Sequence, residues 1–156
     1  MAIAKTVEWY LDNHGVSYET LEHPYSRSSE ETADVAFIWE DQLAKPVLLE
    51  DERGYLLVVV PASYRVDLKK LERELDRKLA LATEEELTDL FPDCEIGALP
   101  PLGQAYGIPT VYDDRLRRLS CVYFEGGDHR DLVYMGGREF IDLLKDSPHG
   151  DLCRSI

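Results

Sequence analysis

Phe91 to Pro109, FPDCEIGALPPLGQAYGIP, concentrates three of the chain's ten glycines and four of its eight prolines. Glycine admits positive φ and lets a main chain approach a ligand closely, while proline fixes φ and removes a competing donor. Around GALPP this describes a stiff bend, Gly97 to Pro101, whose remaining amides can face one way and hold an anion or a developing oxyanion without rearrangement. The same composition suits a tight connection between a helix and a strand, since Gly and Pro first of all mark turns. Lys45 heads the apolar run AKPVLL. There it snorkels to the surface, guards a strand edge beside Pro46, or offers its ammonium to an anionic ligand. His129 lies in EGGDHRD with Asp128 and Asp131 beside it, placed either to act as a general base or to face solvent from a loop. His23, in HPYSRSS, belongs to a second polar turn able to line a pocket.

Other chemistry is less well supported. Cys94 follows Asp93 close to the bend, but no histidine is near it in sequence to generate a thiolate. No Walker loop, dinucleotide fingerprint, HExxH or nucleophile elbow occurs, which removes the commonest nucleotide, zinc and serine-hydrolase readings. Cys94, Cys121 and Cys153 are widely spaced thiols expected to be reduced, and nothing in the chain calls for a metal or other cofactor. Lys69, Arg73 and Arg77 recur at i, i+4 and i+8 with no acidic partner in register, either a phosphate contact or a solvated helix face. A formal net charge of −14 argues against a protein that coats DNA or RNA and leaves room only for a local contact.

The elements that must position these residues are legible in outline. A chain of 156 residues suits one domain over 1–156 with its own core. The apolar run Leu56 to Ala62 is too short for a membrane span and no basic-then-apolar leader opens the sequence, so a cytoplasmic protein away from membranes is expected. Ile3, Val7, Tyr10 and Leu11 mark an opening helix, and Val16 to Glu22 a half-buried strand. Ser28 with Glu31 starts a second helix whose buried face takes Ala33, Ala36 and Phe37. Val47 to Leu49 and Tyr55 to Val60, joined by EDERG, form a β-hairpin. Asp67 caps a helix lined by Leu68, Leu71, Leu75 and Leu79, and Thr83 with Glu86 caps another that Pro92 ends. Strands at Thr110 to Tyr112, Leu119 to Phe124 and Leu132 to Met135, a helix at Arg138 to Lys145 and a fraying tail from about 147 complete an α+β domain around a mixed sheet.

The stretches HPYSRSS, LAKPVLL, PASYRVDLKKL, LATEEELTDLFPDCEIGALPPLGQAYGIPTVYDD and the GGDH turn together resemble the YbaK/EbsC family of aminoacyl-tRNA deacylases, related to the editing domain of bacterial prolyl-tRNA synthetases. The likeness runs from about HPYSRSS to about MGGREFIDLL. It implies a mixed, partly barrel-like sheet flanked by helices, and hydrolysis in trans of the ester joining a wrong amino acid to tRNA. Alanine on proline tRNA leads the substrates it suggests, with cysteine and serine as competitors. The family's editing positions fall on Lys45, Gly97, Pro101 and His129. Ala98, Leu99, Pro100, His23 and Asp128 are then expected around the substrate, and Lys69, Arg73 and Arg77 on the tRNA. Aminoacyl-tRNA is the implied partner, with a synthetase as a second one. Pro46 and Ile96 depart from the residues common in relatives, which leaves the acyl preference open. A non-catalytic module with the same fold, sensing a small ligand, is the alternative.

Overall fold

The computed structural model describes residues 3–156. The chain opens with α1 (Lys5–Asn13), β1 (Glu19–Glu22) and α2 (Ser29–Ala36). The hairpin β2 (Ala44–Asp51) and β3 (Gly54–Pro61) follows, then β4 (Tyr64–Val66), α3 (Leu68–Leu75), β5 (Ala80–Leu81) and α4 (Glu84–Leu90). Beyond the Gly-Pro stretch come β6 (Thr110–Asp113), β7 (Cys121–Glu125), β8 (Asp131–Gly136), α5 (Gly137–Leu143), β9 (His149–Gly150) and β10 (Cys153–Ser155).

The hairpin pairs without interruption from Ala44↔Pro61 to Asp51↔Gly54 and occupies the middle of a sheet ordered β5-β2-β3-β6-β9. Leu57 and Val59 join the main core with Val7, Leu11 and Phe124. Their alternates Leu56, Val58 and Val60 join Leu71 of α3 and Val111 in a second core on the opposite face. Burial on both faces is why β3 reads as a continuous apolar run and not as an alternation. β3 meets β6 in parallel, Val58 beside Val111, so the sheet is mixed as expected. A second sheet, β1-β8-β7, touches the first through one parallel bridge, Leu43↔Tyr123. The larger sheet keeps its edges and is not closed, so the barrel-like element of the expectation amounts to two sheets meeting at a seam.

Helix starts follow the capping residues. Ser28 accepts from Glu31 N, Asp67 from Lys69 N and Lys70 N, and Thr83 forms a reciprocal box with Glu86. Glu86 also accepts the Tyr55 hydroxyl, which ties α4 to the hairpin. Replacing Thr83 by alanine removes the cap and is expected to cost about 1 kcal/mol in a denaturant titration. Helix ends depart from expectation twice. Phe37 caps α2 in the left-handed region at φ +59 and is 94% exposed, so it is no part of the buried face. α3 stops at Leu75 because Asp76 also turns left-handed, at φ +53, which puts Leu79 beyond the helix.

The tail is the clearest correction. Instead of fraying from about 147, it runs in parallel beside β6 as β9 and antiparallel to β4 as β10. Asp151 receives both Lys70 and Arg115, and the buried Cys153 thiol donates to Asp113 Oδ2 at 3.1 Å. Burial, first of all, pushes that thiol up to about 12, so it stays protonated. No helix among the described residues is long and apolar enough to cross a membrane.

Candidate functional site

The Leu43↔Tyr123 bridge brings the start of β2 alongside β7. Two residues further along each strand, on the same side of both pleats, stand Lys45 and Glu125. Both line a cavity of about 350 Å3 at the seam. Ser28 and Ser29 at the start of α2, Leu87 of α4, and Ile96, Gly97 and Leu99 of the Gly-Pro bend form other parts of its wall. Most of that wall is apolar, with Leu43, Pro46, Val47 and Leu48 contributed by the hairpin side.

Lys45 is half-buried and donates from Nζ to Tyr64 O at 2.8 Å. That bond fixes the side chain while two further N–H groups stay available to a ligand. Burial lowers its pKa below the usual lysine value and Arg65 pushes the same way, against Glu30. The bend is held by short local bonds. Ala98 N donates to Glu95 O at 3.1 Å, and Glu95 N to Gly127 O at 2.8 Å. The amides of Gly97 and Leu99 make no hydrogen bond among the described residues. Gly97 is at φ +88, where a side chain is strained, and a Cβ there would meet His129 Cε1 at 3.0 Å and Arg27 O at 3.2 Å. Gly103 packs equally closely, since a Cβ would collide with Thr110 Oγ1 and lie 2.7 Å from Ile108 O.

Residues 23–143 match the family model for the aminoacyl-tRNA editing domain. The chain belongs to that family. It is similar to a proline–tRNA ligase of Kosmotoga olearia, 29% identical over 143 residues that cover 86% of this chain and 24% of the ligase. A second proline–tRNA ligase, of a Geobacillus strain, is 26% identical over 102 residues, 65% of this chain and 18% of that one. The chain thus spans about a quarter or less of the length of these curated relatives. Among solved structures, a candidate trans-editing enzyme for prolyl tRNA synthetase superposes with a TM-score of 0.84 at 27% identity, covering 97% of this chain and 96% of its own.

In this editing domain the sequence-nominated residues fall into two shells. Lys45, Gly97 and Leu99 reach the cavity wall. Ala98, Pro100 and Pro101 are buried in the bend and set its path from behind. His129 also stands behind it. Its Nε2 lies 2.6 Å from Ile96 O, and because a carbonyl can only accept, Nε2 carries the proton. Its backbone is left-handed at φ +64, and Tyr25 packs on the ring at 5.0 Å between centroids. His129 therefore braces the bend from outside the cavity wall. Asp128 accepts the amides of Arg130 and Asp131 and shapes that turn.

Beneath the turn lies a polar cluster that sequence reasoning missed at its centre. Glu125 Oε1 accepts from Thr32 Oγ1 at 2.9 Å and lies 3.6 Å from His23 Nε2. His23 Nδ1 donates to Pro24 O, so His23 faces Glu125 and not the cavity. The sequence signal was a single carboxylate closing the strand CVYFE, hidden by the EGGDHRD loop that follows. Asp131 has its pKa raised to about 6, chiefly by burial and then by the Asp128 carboxylate beside it. Burial opposes the ionisation of Asp128 too, but the bonds from Asp131 and the two amides outweigh it and lower its pKa. The raised acid keeps its proton longer when folded, so its contribution to stability is complete below about pH 4 and is lost as pH rises through about 6. Accordingly, the melting temperature of Asp131→Asn is expected to gain on wild type between pH 4 and 6.5 and to run parallel above that. A constant difference would remove Asp131 from the titration.

Two further expectations change. Arg77 lies past the end of α3 and pairs with Asp51 through Nε at 2.8 Å and Nη2 at 2.6 Å, so it is neither in the helical row nor free of an acidic partner. Lys69 and Arg73 remain on α3, beside Asp67, Glu72 and Asp76 around a surface depression. Cys94 contacts Tyr106 Oη at 3.2 Å, and burial, first of all, pushes its thiol up to about 12, which removes the thiolate nucleophile.

Proposed function

We propose that this editing domain hydrolyses the ester of a mischarged aminoacyl-tRNA in trans, acting on a small acyl group such as alanine, cysteine or serine, with proline tRNA as the leading carrier. The observation that carries this reading is the joint presence of the Lys45 ammonium and the Gly97–Leu99 backbone on one largely apolar cavity. The acyl group enters against the apolar wall, and its carbonyl oxygen turns toward the unpaired amides of Gly97 and Leu99. Water adds to the carbonyl carbon, the amides hold the oxyanion, and collapse expels the ribose oxygen, which takes up a proton to leave tRNA and free amino acid. Preorganised amides suit an ester that is already activated, because they need no reorganisation as charge develops. Lys45 anchors the terminal phosphate or ribose. The vicinal ribose hydroxyl relays the proton, receiving water's as it passes its own to the departing ribose oxygen, while the bonded ring of His129 lies outside the cavity.

A wall of this kind separates acyl groups by only about 1 to 3 kcal/mol per methylene, which is why a second, smaller sieve is useful after charging. The direct test is loss of label from a panel of aminoacyl-tRNAs, alanyl-, cysteinyl- and seryl-tRNA(Pro) against correctly charged prolyl-tRNA(Pro). Turnover of the small esters with the prolyl ester spared is the expected result. Binding without turnover of any ester would replace the enzyme by a ligand-sensing module. Lys69 and Arg73 supply the tRNA contact in this reading, without Arg77. Neutralising both is expected to flatten the slope of log affinity against log salt by up to about 2, and an unchanged slope would make them ordinary surface. With a net charge of −14, tRNA is better captured from a synthetase complex than from solution.

A further inference from the structure

Of the two acidic side chains lining the cavity, Glu84 is exposed and Glu125 is buried, and Glu125 does not pair with Lys45 among the described residues. Its Oε1 is committed to the Thr32 hydroxyl, which is itself bonded to Ser26 Oγ at 2.5 Å. Its Oε2 is buried without any hydrogen-bond partner. A buried carboxylate oxygen left without a donor costs on the order of 1 to 3 kcal/mol, and such a group in a cavity wall is best explained by a donor that arrives with the ligand. Of the groups on an aminoacyl ester, the carbonyl and ester oxygens only accept, and the vicinal ribose hydroxyl and a serine hydroxyl or cysteine thiol are neutral donors. The α-ammonium is cationic and offers three N–H donors.

We propose that Glu125 seats the α-ammonium group of the substrate's amino acid, opposite the end of the cavity governed by Lys45. This rests on the aminoacyl-ester reading above and adds what that reading lacks, a recognition element for the amino group. The cavity is then dipolar: the cation faces the tRNA end of the ester and the carboxylate faces the amino acid. Burial raises the Glu125 pKa in the empty site despite the Thr32 hydroxyl and the nearby His23 and His129, and an ammonium on Oε2 returns it to the ionised form. Acyl groups without an α-ammonium, α-hydroxy or N-acylated ones, bring no charge to this end and are discriminated against.

The test uses two non-hydrolysable ligands of equal shape, 3′-alanylamino-3′-deoxyadenosine and its lactoyl counterpart, in which a hydroxyl replaces the ammonium. Calorimetric titration of the wild-type protein is expected to show the alanyl ligand binding about tenfold or more tightly. In Glu125→Gln the preference should collapse toward unity, chiefly through the alanyl ligand, with the melting temperature confirming the fold. Equal affinity of the wild-type protein for both ligands overturns the assignment whether or not the variant folds. So does a preference that survives in Glu125→Gln. Failure of the wild-type protein to bind either ligand is a different result, which overturns the aminoacyl-ester reading and this assignment with it.

Discussion

Lys45→Ala is expected to lower kcat/KM for a mischarged small-acyl tRNA by about 10²- to 10³-fold, equivalent to about 2.7 to 4 kcal/mol of lost transition-state stabilisation. The reason is geometric. Among the described residues Lys45 is the one lysine lining the cavity, with Arg27 as the other cation; its Nζ is directed by Tyr64 O, and its partial burial strengthens any contact with a phosphate or developing charge. Stability should move little, because the bond removed is a single one to a carbonyl beside a half-buried chain. Arginine is not expected to rescue, since its planar fork cannot occupy the space of a point charge in this wall. A variant that keeps its melting temperature and its turnover would show that the ammonium is not engaged in the reaction.

Gly97→Ala should act on stability and activity together. At φ +88 an L-residue carries about 1 to 3 kcal/mol of backbone strain, and the added methyl must displace either the His129 ring or Arg27 O. Shifting the ring by a few tenths of an ångström strains the short His129 Nε2 bond to Ile96 O, which fixes the bend on which the Gly97 and Leu99 amides are mounted. Turnover is expected to fall by about 10²-fold, with a drop in melting temperature of a few degrees, both measurable on the same preparation. His129→Ala should reproduce the loss of turnover more weakly, because it removes the brace without adding strain. Unchanged kinetics in Gly97→Ala would sink the oxyanion role of the bend.

What could be read from the residues alone was whatever local physics decides. The capping residues Ser28, Asp67 and Thr83 mark helix starts to the residue, and the doubly buried β3 announces itself by its unbroken apolar run. Lys45 and Gly97 stand out in the sequence because each is locally unusual, a charge heading an apolar run and a glycine opening the GALPP stretch. Features that depend on pairing at long range were not. The β10 to β4 ladder joins residues far apart in sequence, and its strands are too short and polar to signal themselves, so the tail looked free to fray. Arg77 reads as unpaired in the sequence because its partner Asp51 is on the hairpin and not on the helix. The place of His129 behind the wall follows from the turn that Asp128 organises. Glu125 gave no local sign, since its significance arises from the register of two sheets that meet at Leu43 and Tyr123.

That meeting point has a consequence for how acyl preference can drift. The floor and roof of the hollow belong to separate hydrogen-bonded ladders, so a small tilt of one against the other alters its aperture while every ladder bond is kept. Phe124 of β7, next to Glu125 in the strand, packs near Phe140 of α5 at 5.8 Å and supports that side of the hollow from behind. Substitutions there, out of reach of any bound acyl chain, should retune which side chains are admitted as effectively as changes at the lining itself.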